Sequence, residues 1–294
     1  MEVLETFADA TQWSSPNDEA AQARAVSAIE GGKILYFPAL AFPMDDVERV
    51  FLSSDCTDGK AKNISYDPRV GTVQGTSCSG AQKTLLVGMM RRYGDCAQQL
   101  LLGLIPGYRP GLERARTSYR PVEVEGRQMS RKKNDALLHV DAFPSRPNQG
   151  RRIMRVFTNV NPHGRSRVWH VGEPFEAFAT KFLPTVSPPR PGAARLLQWS
   201  GLTKSLRTRY DHTMLQLHDN GKLDDAYQTN APRERVEFPP GATWIVYTDQ
   251  VLHAALAGQY VFEQTFHLDV ESLTQPATSP LRVLERLTGR PLVA

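Results

Sequence analysis

The chain has 294 residues, enough to bury one large core. Its 40% hydrophobic and 22% charged residues are those of a globular protein and exclude a disordered or fibrous one. The net charge of +4, with arginine and lysine dense from Arg127 to Arg167, comes without a zinc-finger or RNP-type motif and without interleaved aromatics, so nucleic acid is not expected as a partner.

An anionic small molecule, a sugar acid or an anionic membrane surface fits that charge better. Cys56, Cys78 and Cys96 form no CxxC pattern, and their odd number points to a reducing compartment. The first residues, MEVLETFADATQW, lack the basic-then-apolar run of a secretory signal. The most apolar stretch, Cys96 to Tyr108, is too short to span a bilayer and contains two glutamines. A cytoplasmic protein is expected.

Ser15-Pro16-Asn17-Asp18 before an alanine-rich stretch predicts a helix start, and Gly31-Gly32 its end. Ile34 to Pro38 reads as a short buried strand. Ala81 to Leu104 is expected to be helical, with Leu85, Met89, Tyr93, Cys96, Leu100 and Leu104 on a core-facing stripe. Residues 1–116 therefore read as a helical extension packed on a core formed by 117–294, and the two are expected to make one compact domain overall.

From about Thr117 the pattern turns extended: Tyr119–Val124, Ala136–Val140, Ile153–Val160, Arg233–Phe238, Thr243–Thr248 and Tyr260–Leu268. Helices are expected near Glu173–Phe182 and Thr203–His218. Many short strands separated by proline and glycine turns predict an α+β, mainly β fold: a double-stranded β-helix of jelly-roll, cupin-like type, with N-terminal and inserted helices.

Within this pattern lies His139-Val140-Asp141, at the end of an apolar strand and before Phe143-Pro144. Residues i and i+2 of a strand point to one side, so the imidazole and the carboxylate share one space. A second HxD triplet, His267-Leu268-Asp269, serves as a control, because no histidine follows it. After the first triplet, His253 stands downstream, between the Thr243–Thr248 strand and Gly258, in what reads as a hairpin returning to the barrel mouth. Two histidines and one carboxylate cover one face of an octahedral metal and leave positions open, as in non-heme Fe(II) oxygenases; the same trio can also hold zinc. His163, His170, His212 and His218 lack such a context, and the last two read as surface residues of a polar helix.

An oxygenase of this type draws electrons from 2-oxoglutarate, whose remote carboxylate calls for a fixed guanidinium. Many such enzymes place a basic residue on the strand after the distal histidine, where this chain has only Gln264. The strand after the HxD loop supplies Arg155, flanked by apolar residues, with Arg152 as the alternative on the opposite face. Arg167 and Trp169 share strand parity, and a flat ring beside a guanidinium suits a sugar acid or a cation–π contact. Arg120 offers a further anion contact from an upstream strand.

Together, LLHVDAFPSRPNQGRRIMRVFTNVNP, RVWHVGEPFE and FPPGATWIVYTDQVLHAALAGQYVFEQTF resemble the Kdo hydroxylase family across about Thr117 to Leu268. The resemblance implies an Fe(II)/2-oxoglutarate-dependent dioxygenase that uses O2 to hydroxylate C3 of a 3-deoxy-D-manno-oct-2-ulosonic acid (Kdo) residue of lipopolysaccharide. It implies His139, Asp141 and His253 as iron ligands, and Arg120, Arg155, Arg167 and Trp169 as residues around cosubstrate and sugar. It further implies a lipid-linked Kdo substrate on the cytoplasmic face of the inner membrane of a Gram-negative cell, with peripheral contact to that surface. The competing readings are a related oxygenase acting on another polar substrate and a non-catalytic cupin-like sugar-binding protein.

Overall fold

Asp18 starts the first helix by accepting a hydrogen bond from the Ala21 N–H, and Gly31 closes it by donating back to Ser27 and Ile29. The structure, a computed structural model, describes residues 2–14 and 18–293, so the expected helix-start residues Ser15, Pro16 and Asn17 lie outside the described residues. In chain order the elements begin with β1 (Leu4–Thr6), α1 (Glu19–Glu30), β2 (Ile34–Phe37), β3 (Ile64–Asp67), β4 (Thr72–Gln74) and α2 (Gly80–Leu104). The core strands follow as β5 (Leu112–Arg120), β6 (Arg152–Asn159) and β7 (Arg167–Gly172). Then come α3 (Phe175–Phe182), α4 (Ala193–Trp199), α5 (Arg209–Leu223) and α6 (Asp225–Asn230). The chain closes with β8 (Arg233–Phe238), β9 (Thr243–Tyr247), β10 (His253–Ala257), β11 (Val261–Leu268) and α7 (Pro280–Thr288).

The large sheet has the order β1-β2-β9-β6-β11-β5-β3-β4, and the small one β10-β7-β8. Residue His139 adds a fourth rung to the small sheet through an antiparallel bridge to His253. From β5 onward the chain crosses repeatedly between the two sheets, with only β7 and β8 successive in one: β5, β6, β9 and β11 lie in the large sheet, and the His139 segment, β7, β8 and β10 in the small one. That winding is the expected double-stranded β-helix. The residues before β5 add β1–β4 to the core sheet as well as two helices, so this part is not purely helical.

Several expected elements differ from those observed, among them the helix expected at Thr203–His218, which is α5 at Arg209–Leu223. β5 begins at Leu112 and stops at Arg120 rather than running Tyr119–Val124, because Pro121 has no N–H with which to extend a ladder. The segment Ala136–Val140 is not a strand. Its polar backbone is met by side chains instead: the Gln228 amide accepts from Leu138 N–H (2.9 Å) and donates to Leu138 O (3.0 Å). His253 is not carried by a hairpin, since β9 and β10 belong to opposite sheets and Asp249-Gln250 turn the corner between them. On α2 the buried stripe keeps Met89, Tyr93, Leu100 and Leu104 but adds Leu86, Met90, Ala97 and Leu101, leaving Leu85 and Cys96 at its margin.

Strand alternation separates two cores. Outward-facing Met154 and Val156 of β6 join Tyr93 of α2 and Phe262 of β11 in the larger core under the helices. Inward-facing Phe157 joins Trp169, Phe238 and Trp244 in an aromatic plug inside the barrel. The Phe238 and Trp244 rings stack at 4.0 Å between centroids, and Trp169 meets both edge-on. The plug fills one part of the barrel interior and leaves the rest as a polar cavity. Among the described residues no helix is long and apolar enough to cross a membrane.

Candidate metal centre

His139 and His253 face each other across the seam of the small sheet. Each donates its backbone N–H to the other's carbonyl, at 3.1 and 2.9 Å, and the Asp141 N–H donates to Thr248 O at 2.7 Å. These backbone bonds bring the imidazole centroids to 4.5 Å. One ligand atom each from His139, Asp141 and His253 lies within 4.8 Å of the others, and among the described residues no other such group of three forms.

The protonation of the trio suits a metal. Nδ1 of His139 lies 2.7 Å from Leu137 O and Nδ1 of His253 lies 2.8 Å from Val251 O. A carbonyl can only accept, so Nδ1 carries the proton and each Nε2 keeps a bare lone pair, as metal-binding histidines require. Burial drives the His139 imidazolium well below its usual pKa, with His253 and Lys222 adding to it. Burial lowers His253 as well, against the opposing pull of Asp141. Burial alone would raise Asp141, but Arg155 and the two imidazoles outweigh it and hold the carboxyl below the usual range. The trio is thus two neutral imidazoles and a carboxylate at neutral pH, a donor set that fits Fe(II).

Surrounding rings fix the ligands. Trp169 stacks on His253 at 5.1 Å and 26°, and His218 meets His139 edge-on at 5.4 Å. His218 is therefore not a surface residue: α5 leans over the centre. Its signal in the sequence was the i,i+4 spacing of His218 and Lys222, which puts both on one helix face. Trp169 is only 2% exposed, with one face on His253 and its edges among Phe157, Phe238 and Trp244. His253 takes one face of its ring, and the residue lines the cavity beside the trio.

The centre opens into a cavity of about 700 Å³ whose walls carry Arg120, Arg155, Arg167, Lys62, Lys132 and Lys222. Arg155 Nη2 is 3.0 Å from Asp141 Oδ2 and its Nη1 3.5 Å from Glu263. Arg120 Nε donates to Glu263 at 3.0 Å. Lys62 pairs with Asp135, and Lys132 with Asp219 at 2.7 Å. Arg167 differs: it is 4% exposed, its Nη1 donates only to Gly258 O at 2.8 Å, and its Nε has no partner. Burial brings its pKa down to about 9, with Arg120 contributing.

Two expected cosubstrate residues are elsewhere. Arg152 is fully buried on the outer face of β6, where Nε holds Asp249 at 2.8 Å, Nη2 holds Gln250 at 2.7 Å and the guanidinium covers the Tyr247 ring. Gln264 also faces outward, its amide spent on Thr117, Ala115 and Thr265 against α2. Strand parity explains both displacements, since Arg155, three residues from Arg152, and Glu263, one residue from Gln264, lie at odd separations and face inward. Glu263 was not anticipated, although a lone acid in an apolar strand is the matching signal for an interior arginine. The control triplet forms no site: Asp269 pairs with Arg151 at 2.7 Å, and His267 abuts Phe143 apart from the trio.

Comparison with known proteins shows the family. The family model described as 3-deoxy-D-manno-oct-2-ulosonic acid (Kdo) hydroxylase matches residues 12–291. A crystal structure of the Kdo hydroxylase KdoO, a non-heme Fe(II) alpha-ketoglutarate-dependent dioxygenase, in complex with cobalt(II) superposes with a TM-score of 0.97 at 47% identity, covering 99% of this chain and 98% of that one. The same enzyme with alpha-ketoglutarate and Fe(III) gives 0.95 at 46% identity, covering 99% and 97%. Its complex with succinate and Fe(III) gives 0.95 at 46% identity, covering 99% and 98%. No protein among the curated sequences matches. With its family model matched almost end to end and the two-histidine, one-carboxylate trio assembled inside a jelly roll, this chain belongs to the Kdo hydroxylase family.

Proposed function

We propose that the chain is an Fe(II)/2-oxoglutarate-dependent dioxygenase that hydroxylates C3 of a Kdo residue in the lipopolysaccharide inner core. The observation that carries this reading is the preassembled His139, Asp141 and His253 trio at the foot of a cation-lined cavity, in a chain of this family. Iron bound there supplies, with 2-oxoglutarate and O2, the oxidising power to replace a C–H hydrogen by hydroxyl, while 2-oxoglutarate becomes succinate and CO2. One atom of O2 enters the sugar and the other enters succinate.

The chain's own residues divide the remaining work. His139 and His253 hold the metal through Nε2 and Asp141 through its carboxylate. Arg155 fixes the Asp141 carboxylate, and its contact at 3.0 Å places it at the metal end of the cavity. Arg167, buried and without a carboxylate partner, is the cation to receive the remote carboxylate of 2-oxoglutarate, with Arg120 and Glu263 completing that wall. This transfers the clamp from Arg155 to Arg167. The aromatic plug of Phe157, Trp169 and Trp244 keeps water from the far side.

The exposed Lys60, Lys132 and Lys133 at the cavity mouth favour a lipid-linked Kdo acceptor presented at an anionic membrane surface. Purified chain given Fe(II), 2-oxoglutarate and a Kdo-bearing lipid A precursor in anionic vesicles is expected to add one oxygen to the precursor and release succinate. Turnover on free Kdo as good as on the vesicle-borne lipid would remove the lipid-linked part of the reading. His139→Ala and Asp141→Ala are expected to abolish succinate release; near wild-type activity in both would overturn the metal assignment.

A further inference from the structure

The cavity holds two buried cations without a carboxylate partner among the described residues. One is Arg167. The other is Lys222, in the last turn of α5 and 1% exposed. Its Nζ makes one hydrogen bond, to Lys132 O at 3.3 Å, and none to an acid. Burying an ammonium without a counter-ion is costly and is not compensated by local packing. A site that keeps such a cation is built for an anion that arrives from outside.

The two cations stand at different places along the barrel. Arg167 lies beside Gly258, past the end of β10, whereas His253 opens that strand. Five steps of chain separate His253 from Gly258, roughly 16 Å at about 3.3 Å per residue. Lys222 lies on the metal side: it follows His218, whose ring abuts His139, by one helical turn. Burial brings its pKa down to about 8, against the opposing pull of Asp135 and Asp141, and its charge in turn lowers the pKa of His139.

We propose that Lys222 binds the C1 carboxylate of the Kdo residue and thereby sets which carbon is presented to the metal. This rests on the function proposed above. In Kdo the carboxylate is carried by C2, and the carbon to be hydroxylated is the neighbouring C3. A cation beside His139 that grips this carboxylate holds the C3–H next to the metal and leaves little freedom for other carbons. The same contact selects for sugar acids, because a neutral sugar would leave the ammonium buried and unpaired. Arg167 and Lys222 then divide the two anions of the reaction, cosubstrate and sugar, between opposite ends of the cavity.

The test compares the Kdo-bearing lipid with its C1 methyl ester, for wild type, Lys222→Met and Lys222→Arg. Wild type is expected to prefer the acid in kcat/KM by at least about tenfold, the worth of a charge-assisted contact. Lys222→Met is expected to lose that preference, raise KM for the acid and form more succinate than hydroxylated product. Lys222→Arg should retain part of the preference. Anaerobic titration of 2-oxoglutarate into the Fe(II)-loaded protein should give the same affinity in all three. An acid-to-ester ratio near one in wild type overturns the proposal however the variants fold, and so does weakened 2-oxoglutarate binding in Lys222→Met. No hydroxylation of either lipid by wild type would instead overturn the underlying function.

Discussion

A guanidinium that is 4% exposed and bonded only to Gly258 O is an unusual side chain to leave in a barrel interior. At the scale of single residues, Arg167 gives the sharpest test of how the cavity works. Arg167→Met is expected to raise KM for 2-oxoglutarate by about 10- to 100-fold, as for a lost charge-assisted contact of about 1.5–3 kcal/mol. Arg167→Lys should recover only part, since an ammonium lacks the bidentate fork. A steady-state titration of 2-oxoglutarate checks both, and an unchanged KM in Arg167→Met would return the clamp to Arg155. The His139 and Asp141 pair was legible in the sequence because i,i+2 alternation is a local rule, whereas His253 reaches it by a crossing between sheets and not by the expected hairpin. The inward turn of Arg155 was legible for the same reason. What local rules could not reveal is which cations already have partners: Arg152 stood as the alternative to Arg155, but Asp249 and Gln250, nearly a hundred residues on, occupy it. Likewise Trp169 had the right parity, but its partner His253 comes from a distant strand.

At the scale of elements, the ligand-bearing segment is held without a ladder of its own. Gln228 stands in for a neighbouring strand by closing both polar groups of Leu138, and it also donates to Gly221 O in α5 at 2.8 Å. It therefore couples the His139 segment to the helix that carries His218 and Lys222. Gln228→Ala is expected to cost about 1–3 kcal/mol, because buried backbone groups lose their partners. Fe(II) affinity should fall together with stability. Urea unfolding and anaerobic metal titration check the two effects; a stable variant with full metal affinity would show that the bridge to His253 suffices alone. Strands such as β6, β9 and β11 were readable because apolar and β-branched residues dominate them. β10 was not, since HAALA has the composition of a helix and becomes a strand only through pairing with β7. α7 carried the signals of Ser279-Pro280 at its start and Gly289 at its end, without a periodic stretch long enough to stand out.

At the scale of the whole molecule, the boundary expected between residues 116 and 117 falls inside β5. β1 and β2 cover the β9 edge of the barrel sheet, and β3 and β4 cover its β5 edge. The larger core runs from Phe7 to Leu292 and draws on both parts of the chain. We propose that the two parts form one cooperative unit. Calorimetry of the metal-free protein is expected to show a single unfolding transition; two resolved transitions would restore a separable N-terminal domain. The layered architecture was legible because short strands and turns recur along the chain. The contribution of β1–β4 to the core sheet was not, because pairing between distant edges leaves no mark in local composition.

The reciprocal backbone bonds between His139 and His253 have a consequence for metal choice. They place the ligands before any ion arrives, so coordination does not have to drive folding and no folding step discriminates among ions. Selection then falls to intrinsic affinity, which rises from Mn(II) through Fe(II), Co(II) and Ni(II) to Cu(II) for such nitrogen and oxygen donors. Iron sits low in that series. The chain thus faces mismetallation: copper or nickel, where free, would outcompete iron and leave a folded but inactive protein. Its activity in a cell depends on how strictly the supply of those stronger-binding ions is held down.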